Sequence, residues 1–164
     1  MSSVNPLRTF VDKVMKAPLF VRFKILTWVF RYKVKLVGTC KIDIKETDLK
    51  SVTFFIKNRT KVQNHIGSVH AAAMALIAES ATGFVVGINL PSDRLPLIKS
   101  MNLKYVKRAY GDMQAVASLS DEQIHKLQTE PKGDFLVDVK VTDESGNEPV
   151  IAEMHWAWVD KNHK

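Results

Sequence analysis

The run Asn64-His65-Ile66-Gly67-Ser68-Val69-His70-Ala71-Ala72, followed by Glu79, gathers residue types suited to attack of water on a carbonyl. A carboxylate among apolar residues has its pKa raised towards the range of a general base, which is the role expected of Glu79. A helix start leaves amide N–H groups without intrahelical acceptors at the positive end of the helix dipole. The amide of Ala71 is therefore expected to hold a developing oxyanion, a role that needs no particular side chain. Asn64 can orient the water or the carbonyl, and His70 can hold the substrate or shape the loop. Plainer roles stand beside these. Glu79 can pair with a lysine or a neighbouring helix end, Asn64 can cap the turn, and His70 can be a packing residue. His65 and His70 match no common metal-ligand spacing and no cysteine or acid completes one, so no metal is expected.

The spacing adds a constraint. His70 and Glu79 are nine residues apart, roughly 13 Å of helical rise and half a turn out of alignment. They point to opposite sides of one helix and cannot jointly hold one substrate. Two such helices packed antiparallel across a two-fold axis would bring Glu79 of one copy to Asn64 and His70 of the other. A homodimer, or a tetramer of two dimers, is the expected assembly.

Positioning these residues requires a helix over about Ser68–Val86, rich in alanine and apolar on most sides, which must be buried on most of its circumference. Gly83 and Gly87 are expected to thin or end it. Its length suits a bilayer, but His70, Glu79, Ser80 and Thr82 favour a buried helix inside a soluble fold. Before it, residues 5–16 and 18–30 read as helices broken at Pro18. From Tyr32 to Lys45 apolar and polar residues alternate, predicting a long strand that includes Cys40, and Val52–Ile56 predicts a second. After it, strands are predicted near Leu97–Ala109, Gln114–Ser118, Phe135–Thr142 and Val150–Val159. A short helix near Asp121–Gln128 starts at the capping-box pair Ser120 and Gln123. Glu144–Asn147 forms the last turn. This order is that of an α+β domain whose antiparallel sheet wraps one helix.

No repeat, low-complexity run or linker divides the 164 residues, which predict one domain with a helical extension over 1–31 and a core over 32–159. Apolar residues make up 46% and charged residues 25%, which argues against disorder. The single cysteine rules out an intramolecular disulfide framework and fits a cytoplasmic location. Residues 1–16 lack the pattern of a secretory leader. The net charge of +7, concentrated before residue 62, suits anions. No recognition motif supports nucleic acid. The apolar, basic segment Leu19–Phe30 admits contact with a membrane surface, but a helix covering the mouth of the domain is favoured.

The Asn64–Ala72 segment with Glu79 resembles the active-site segment of hotdog-fold acyl-coenzyme A thioesterases of the phenylacetyl-CoA type. There an Asn stands six residues before a His at the helix start, with an acid nine residues later. The spacings here are the same. The element order extends the resemblance over 32–159, and a bacterial hotdog branch catalogued as a domain of unknown function is the fuller match. Three departures are visible: Ala71-Ala72 replaces Gly-Gly, the acid is Glu, and no Ser or Thr stands at the polar position of the following strand, Ser100 being shifted. The resemblance implies hydrolysis of an acyl-CoA thioester, with coenzyme A as part of the substrate and no further cofactor. Catalysis would fall to Glu79, Asn64, His70 and Ala71. His65 and Gly67 would line the substrate, and Arg94, Lys104 and Arg108, with Lys99 and Lys107, are candidates for its phosphates. Two other readings remain. His65 and Glu79 are fourteen residues apart, as in hotdog dehydratases, and a non-catalytic acyl-thioester or lipid binder is possible. Phe20, Phe23, Trp28 and Phe30 are expected to line an acyl tunnel or the core.

Overall fold

A computed structural model describes residues 5–161; residues 1–4, where the reading for a leader begins, and 162–164 lie outside it. Helices α1 (Pro6–Val14), α2 (Leu19–Lys33) and α3 (Lys35–Cys40) precede strands β1 (Asp43–Thr47) and β2 (Ser51–Ile56). The long helix α4 (Ala71–Asn89) is followed by β3 (Arg94–Tyr105), β4 (Met113–Ser118), α5 (Asp121–Thr129), β5 (Gly133–Asp143) and β6 (Val150–Asp160). The strands form one antiparallel sheet in the order β1-β2-β4-β5-β6-β3.

The sheet wraps α4, as in the hotdog fold. Ile77, Ala78, Ala81, Val85 and Val86 of that helix are fully buried. Opposing them, alternate strand residues Val52, Phe54 and Ile56 of β2 and Met113, Ala115 and Ala117 of β4 point inwards, the two-residue period of a half-covered sheet. Small side chains on the helix let the sheet come close.

The N-terminal helices cover another part of α4. Phe30 of α2 meets Phe54 and Phe84 edge-on, with ring centroids 5.4 and 5.5 Å away. Between α1, α2 and Phe84 lies an apolar cavity of about 520 Å³, with Lys33 on its wall. Asn5 pins this layer at both ends. Its Oδ1 accepts from Leu7 N at 2.8 Å, capping α1, and its Nδ2 donates to the carbonyls of Gly87 and Leu90, both at 2.6 Å. Those carbonyls are among the acceptors that a helix end leaves unmet.

Four expectations require correction. The alternation from Tyr32 to Lys45 is not one strand: α2 runs on to Lys33, α3 follows, and only Asp43–Thr47 is extended. Lys41, at φ +51°, turns the chain out of α3. Packing overrides the alternation. Gly38 lies against the Arg31 carbonyl, where a Cβ would come within 2.7 Å, and Arg31 donates to Ile42 O (2.8 Å), Lys41 O (2.7 Å) and Asp43 Oδ1 (2.5 Å). Cys40 is consequently half-exposed at the end of α3 rather than buried in a strand. Gly83 and Gly87 do not end α4, which continues to Asn89; Gly83 makes room for the Trp156 indole, while a Cβ at Gly87 would meet Leu7 only at an ordinary 3.6 Å. The helix also begins at Ala71 rather than Ser68, with His70 as its cap.

The later strands, α5 with its reciprocal Ser120–Gln123 capping box, and the last turn occur where expected to within three residues, except that β3 spans Arg94–Tyr105 rather than Leu97–Ala109. In that turn Gly146 has φ +76° and Asp143 accepts the amides of Ser145 and Asn147. Although α4 is long and apolar enough to cross a membrane, most of it is buried inside this sheet.

Gly83 gives a test of this packing. Alanine is intrinsically the better helix former by about 1 kcal/mol, yet its Cβ would lie 2.8 Å from the Trp156 ring. That ring is fixed by its Nε1 donating to Thr82 Oγ1 at 2.8 Å. Gly83→Ala is therefore expected to lower stability by about 1–3 kcal/mol, seen as a reduced urea midpoint with unchanged slope.

Candidate functional site

The approach to α4 is a turn built around Asn64. Its Oδ1 accepts from the amides of Ile66 and Ser68, both at 3.1 Å, and its backbone N–H donates to Ser68 O at 2.9 Å. Gly67 takes the left-handed conformation that closes this turn, with φ +76°. Next the chain pairs briefly through Gln63 and Val69, and His70 N donates to Val62 O at 2.8 Å. His70 then caps the helix: its Nδ1 accepts from Ala72 N at 3.0 Å, which leaves Nε2 to carry the proton of the neutral ring.

The capping roles of Asn64 and His70 are thus realised. Both side chains also keep a polar group free, since the Asn64 amide Nδ2 and the His70 Nε2 have no protein partner among the described residues. The Ala71 N–H likewise has no acceptor among them. It is the first amide of the helix, one of the donors that a helix start leaves unmet.

Sequence reasoning missed three residues that hold this junction. Tyr105, at the end of β3, donates its hydroxyl to the Ala71 carbonyl at 2.9 Å, and its partial burial raises its phenol above the ordinary value. Asn58 donates its side-chain Nδ2 to Gly67 O at 3.1 Å and its backbone N–H to Asp112 Oδ1 at 2.7 Å. Ser68 is buried beneath the turn. Only Tyr105 left a signal, its place in the strand alternation; the others depend on tertiary proximity.

Glu79 lies two turns along α4 on a stripe with Ala72, Ala75 and Leu76 that sheet and N-terminal helices leave partly uncovered. Its Oε2 accepts from Ser80 Oγ at 3.1 Å, and no salt bridge reaches it among the described residues. Burial raises its carboxyl above the ordinary 4.5, with the Ser80 hydroxyl working the other way. Within one chain Glu79 and His70 are nine residues apart on the helix, half a turn out of alignment. A groove of about 210 Å³ does run beside the helix start, between His70, Ala72 and Leu76 on one side and Leu36 and Cys40 on the other.

Of the residues named for substrate phosphates, only Arg108 is at this junction. It donates to Ile66 O at 2.9 Å and to Ser68 Oγ at 3.4 Å, so part of its guanidinium braces the turn. Exposed His65 sits in the same turn. Arg94 is at the opposite end of β3 from Tyr105, roughly 35 Å away by strand rise, and its guanidinium is taken up by the Leu127 carbonyl at the end of α5. Lys104 is exposed next to Tyr105 and so projects to the other face of the strand. Lys99 is occupied by Asp134 at 2.7 Å. The alternation along β3, together with its bulge between Ile98 and Ser100, disperses a set that looks clustered in sequence. The aromatic set divides as well: Phe30 is in the core cluster, while Phe20 and Trp28 point outwards at 74% and 70% exposure.

A family model described as a domain of unknown function, DUF4442, matches residues 22–159. A Pseudomonas aeruginosa protein of unknown function, called a probable thioesterase, superposes with a TM-score of 0.76 at 24% identity, covering 84% of this chain and 95% of that one. Another P. aeruginosa thioesterase, crystallised with a Gln-to-Ala substitution, gives 0.66 at 17%, covering 80% and 91%. A Haemophilus influenzae thioesterase gives 0.63 at 11%, covering 79% and 87%. These likenesses show the hotdog fold. No curated protein matches the sequence.

The raised Glu79 carboxyl has a consequence for stability. Below 4.5 the group is protonated in folded and unfolded chains alike. As pH rises the unfolded chain loses this proton first, so stability falls through the window up to the folded value and then levels off. Glu79→Gln is expected to unfold at higher urea than the parent in mildly alkaline buffer, with the advantage shrinking below 4.5. Parallel urea titrations at the two pH values would show it.

Proposed function

With this chain belonging to the DUF4442 family, we propose that it is an acyl-coenzyme A thioesterase whose active site is shared between two copies. The observation that carries this reading is Glu79: a partly desolvated carboxyl with no salt-bridge partner among the described residues, on the partly uncovered stripe of the central helix.

In the proposed reaction Glu79 takes a proton from water and the resulting hydroxide adds to the thioester carbonyl. The negative charge on the carbonyl oxygen is received by the Ala71 N–H of the partner chain, at the positive end of its helix. The C–S bond then breaks, and the leaving thiolate takes the proton from Glu79, giving free acid and coenzyme A. Asn64 Nδ2 orients water or carbonyl. Nε2 of His70 faces the thioester end of the pantetheine, and the groove beside it receives the start of the acyl chain. The part of Arg108 not engaged by the turn serves a phosphate.

The second copy follows from two features. Glu79 and His70 need it, being half a turn out of alignment on one helix. β3 is a twelve-residue edge strand whose Leu95, Leu97, Ile98, Met101 and Tyr105 are 36–49% exposed; Pro96 and the bulge at Ile98–Ser100 interrupt its first half, so the stretch Met101–Tyr105 is the part of the edge that another copy can pair with and cover. Antiparallel pairing there would continue the sheet and set the two α4 helices side by side.

Thiol release from a panel of acyl-CoAs tests the activity. Glu79→Gln should lower turnover by roughly 10²-fold or more while keeping fold and assembly. His65→Ala should leave turnover nearly unchanged; a collapse would indicate dehydratase chemistry instead. Asn64→Ala should also reduce turnover, by less if it only orients the water, and mixing it with Glu79→Gln protein should restore part of the activity after subunit exchange. No recovery, with exchange verified, would rule out a shared site.

A further inference from the structure

The chain's positive charge has one source. Residues 1–41 hold nine lysines and arginines against a single acid, Asp12, whereas the remainder holds 15 basic and 16 acidic residues. The catalytic reading uses none of this charge, and the same segment presents the most exposed aromatic side chains of the described residues except Tyr110.

On α2, Phe20, Lys24, Trp28 and Tyr32 follow at intervals of four and form one row along the helix. The three aromatics are 74%, 70% and 62% exposed, and Lys24 is exposed between them. Trp28 and Tyr32 stack with centroids 6.2 Å apart, and Lys35 Nζ sits 4.2 Å from the Tyr32 ring. Leu19 (63%) extends the apolar row at its N-terminal end. Beside it opens a groove of about 480 Å³ lined by Phe23, Thr27 and Ile44 and by Lys24, Arg31, Lys45 and Asp43, the acid pairing with Arg31 and Lys45 and leaving Lys24 as the cation outside that ion pair. The opposite face of α2 is already committed to the domain through Leu26 and Phe30. Helix α2 is thus apolar on both faces, and only one has a partner.

The geometry points to an anionic membrane surface as the occupant of this outer face. Aromatic rings with lysines between and beside them fit a boundary where apolar atoms enter the acyl region and cations stay among anionic headgroups. A second copy laid on the same face would oppose its lysines to an identical set, with like charges repelling. The Trp28 and Tyr32 rings are stacked on each other and Lys35 covers Tyr32, so ring faces are poorly offered to nucleic-acid bases. The inference is independent of the catalytic reading, since docking requires no hydrolysis.

The test uses the full chain with vesicles of phosphatidylcholine alone and of phosphatidylcholine with phosphatidylglycerol in equal parts. Co-sedimentation is expected with the anionic vesicles only, and should weaken as salt rises. Trp156 and Trp158 are 6% and 1% exposed, so Trp28 supplies the environment-sensitive emission, which should shift to the blue on binding. Trp28→Phe should bind but lose the shift. Phe20→Ser with Trp28→Ser, and separately Lys24→Glu with Lys35→Glu, should each cut vesicle partitioning by roughly fivefold or more with unchanged circular dichroism. Absence of binding to anionic vesicles, binding without a blue shift, or variants that partition like the parent would overturn the proposal. So would a Phe20/Trp28 variant that changes the assembled mass while binding vesicles normally, which would assign the face to a second copy. Displacement from vesicles by a single-stranded oligonucleotide that itself quenches Trp28 would assign it to nucleic acid.

Discussion

A helix that is apolar on nearly every side cannot stand on a sheet and face water with its back, and this constraint on α4 organises the molecule. The sheet covers one part of its circumference, with Val52, Phe54 and Ile56 against Ile77, Ala81 and Val85. The α1–α2 layer covers another, through Leu7 and Phe30. What is left is the stripe through Ala72, Leu76 and Glu79, and it is here that a carboxylate can be partly desolvated without being sealed away. A charged group would be an expensive tenant of the fully covered side. Incomplete coverage and an acid of raised pKa are therefore two aspects of one arrangement.

The other end of that arrangement is the junction at Ala71. Asn64, His70, Asn58, Arg108 and Tyr105 all place hydrogen bonds on a few residues of backbone. Their combined effect is to fix the first turn of α4 while leaving its first amide without a protein acceptor. A donor held in place beforehand needs no reorganisation when charge appears near it, which is the physical basis of oxyanion stabilisation. The Tyr105 bond matters particularly, because it ties the helix start to the edge strand β3.

How much of this the sequence disclosed depends on the range of the interactions involved. Elements with local signals were legible: the capping box at Ser120 and Gln123, the break at Pro18, the alternation in β2 and the Gly146 turn. The buried central helix was legible from its composition, and the junction from its motif. The segment from Tyr32 to Lys41 misled because lysines and apolar residues alternate there with a strand's period. Its actual conformation is set by Arg31 and by the contact of Gly38 with the Arg31 carbonyl, neither of which is visible in a periodic pattern. The basic residues after the helix misled differently. A linear cluster of five is separated by strand alternation, by a bulge and by private partners at Leu127 and Asp134. Gly83 likewise reflects a neighbour distant in the chain, Trp156, not a helix end.

The double attachment of Asn5 reaches beyond the finished fold into the order of its making. The acceptors for its amide, Gly87 and Leu90, are 82 and 85 residues further along the chain. While a ribosome extends the chain at roughly 5–20 residues per second, several seconds pass before they have been joined on. During that interval α1 and α2 exist as nascent polypeptide without the completed helix they are meant to cover, and Phe30 waits for ring partners 24 and 54 residues further along the chain. A segment made early relative to its acceptors is thus among the last to find its place. A chain interrupted before residue 90 would hold two uncovered apolar helices, making early termination a hazard for self-association rather than a simple loss of product.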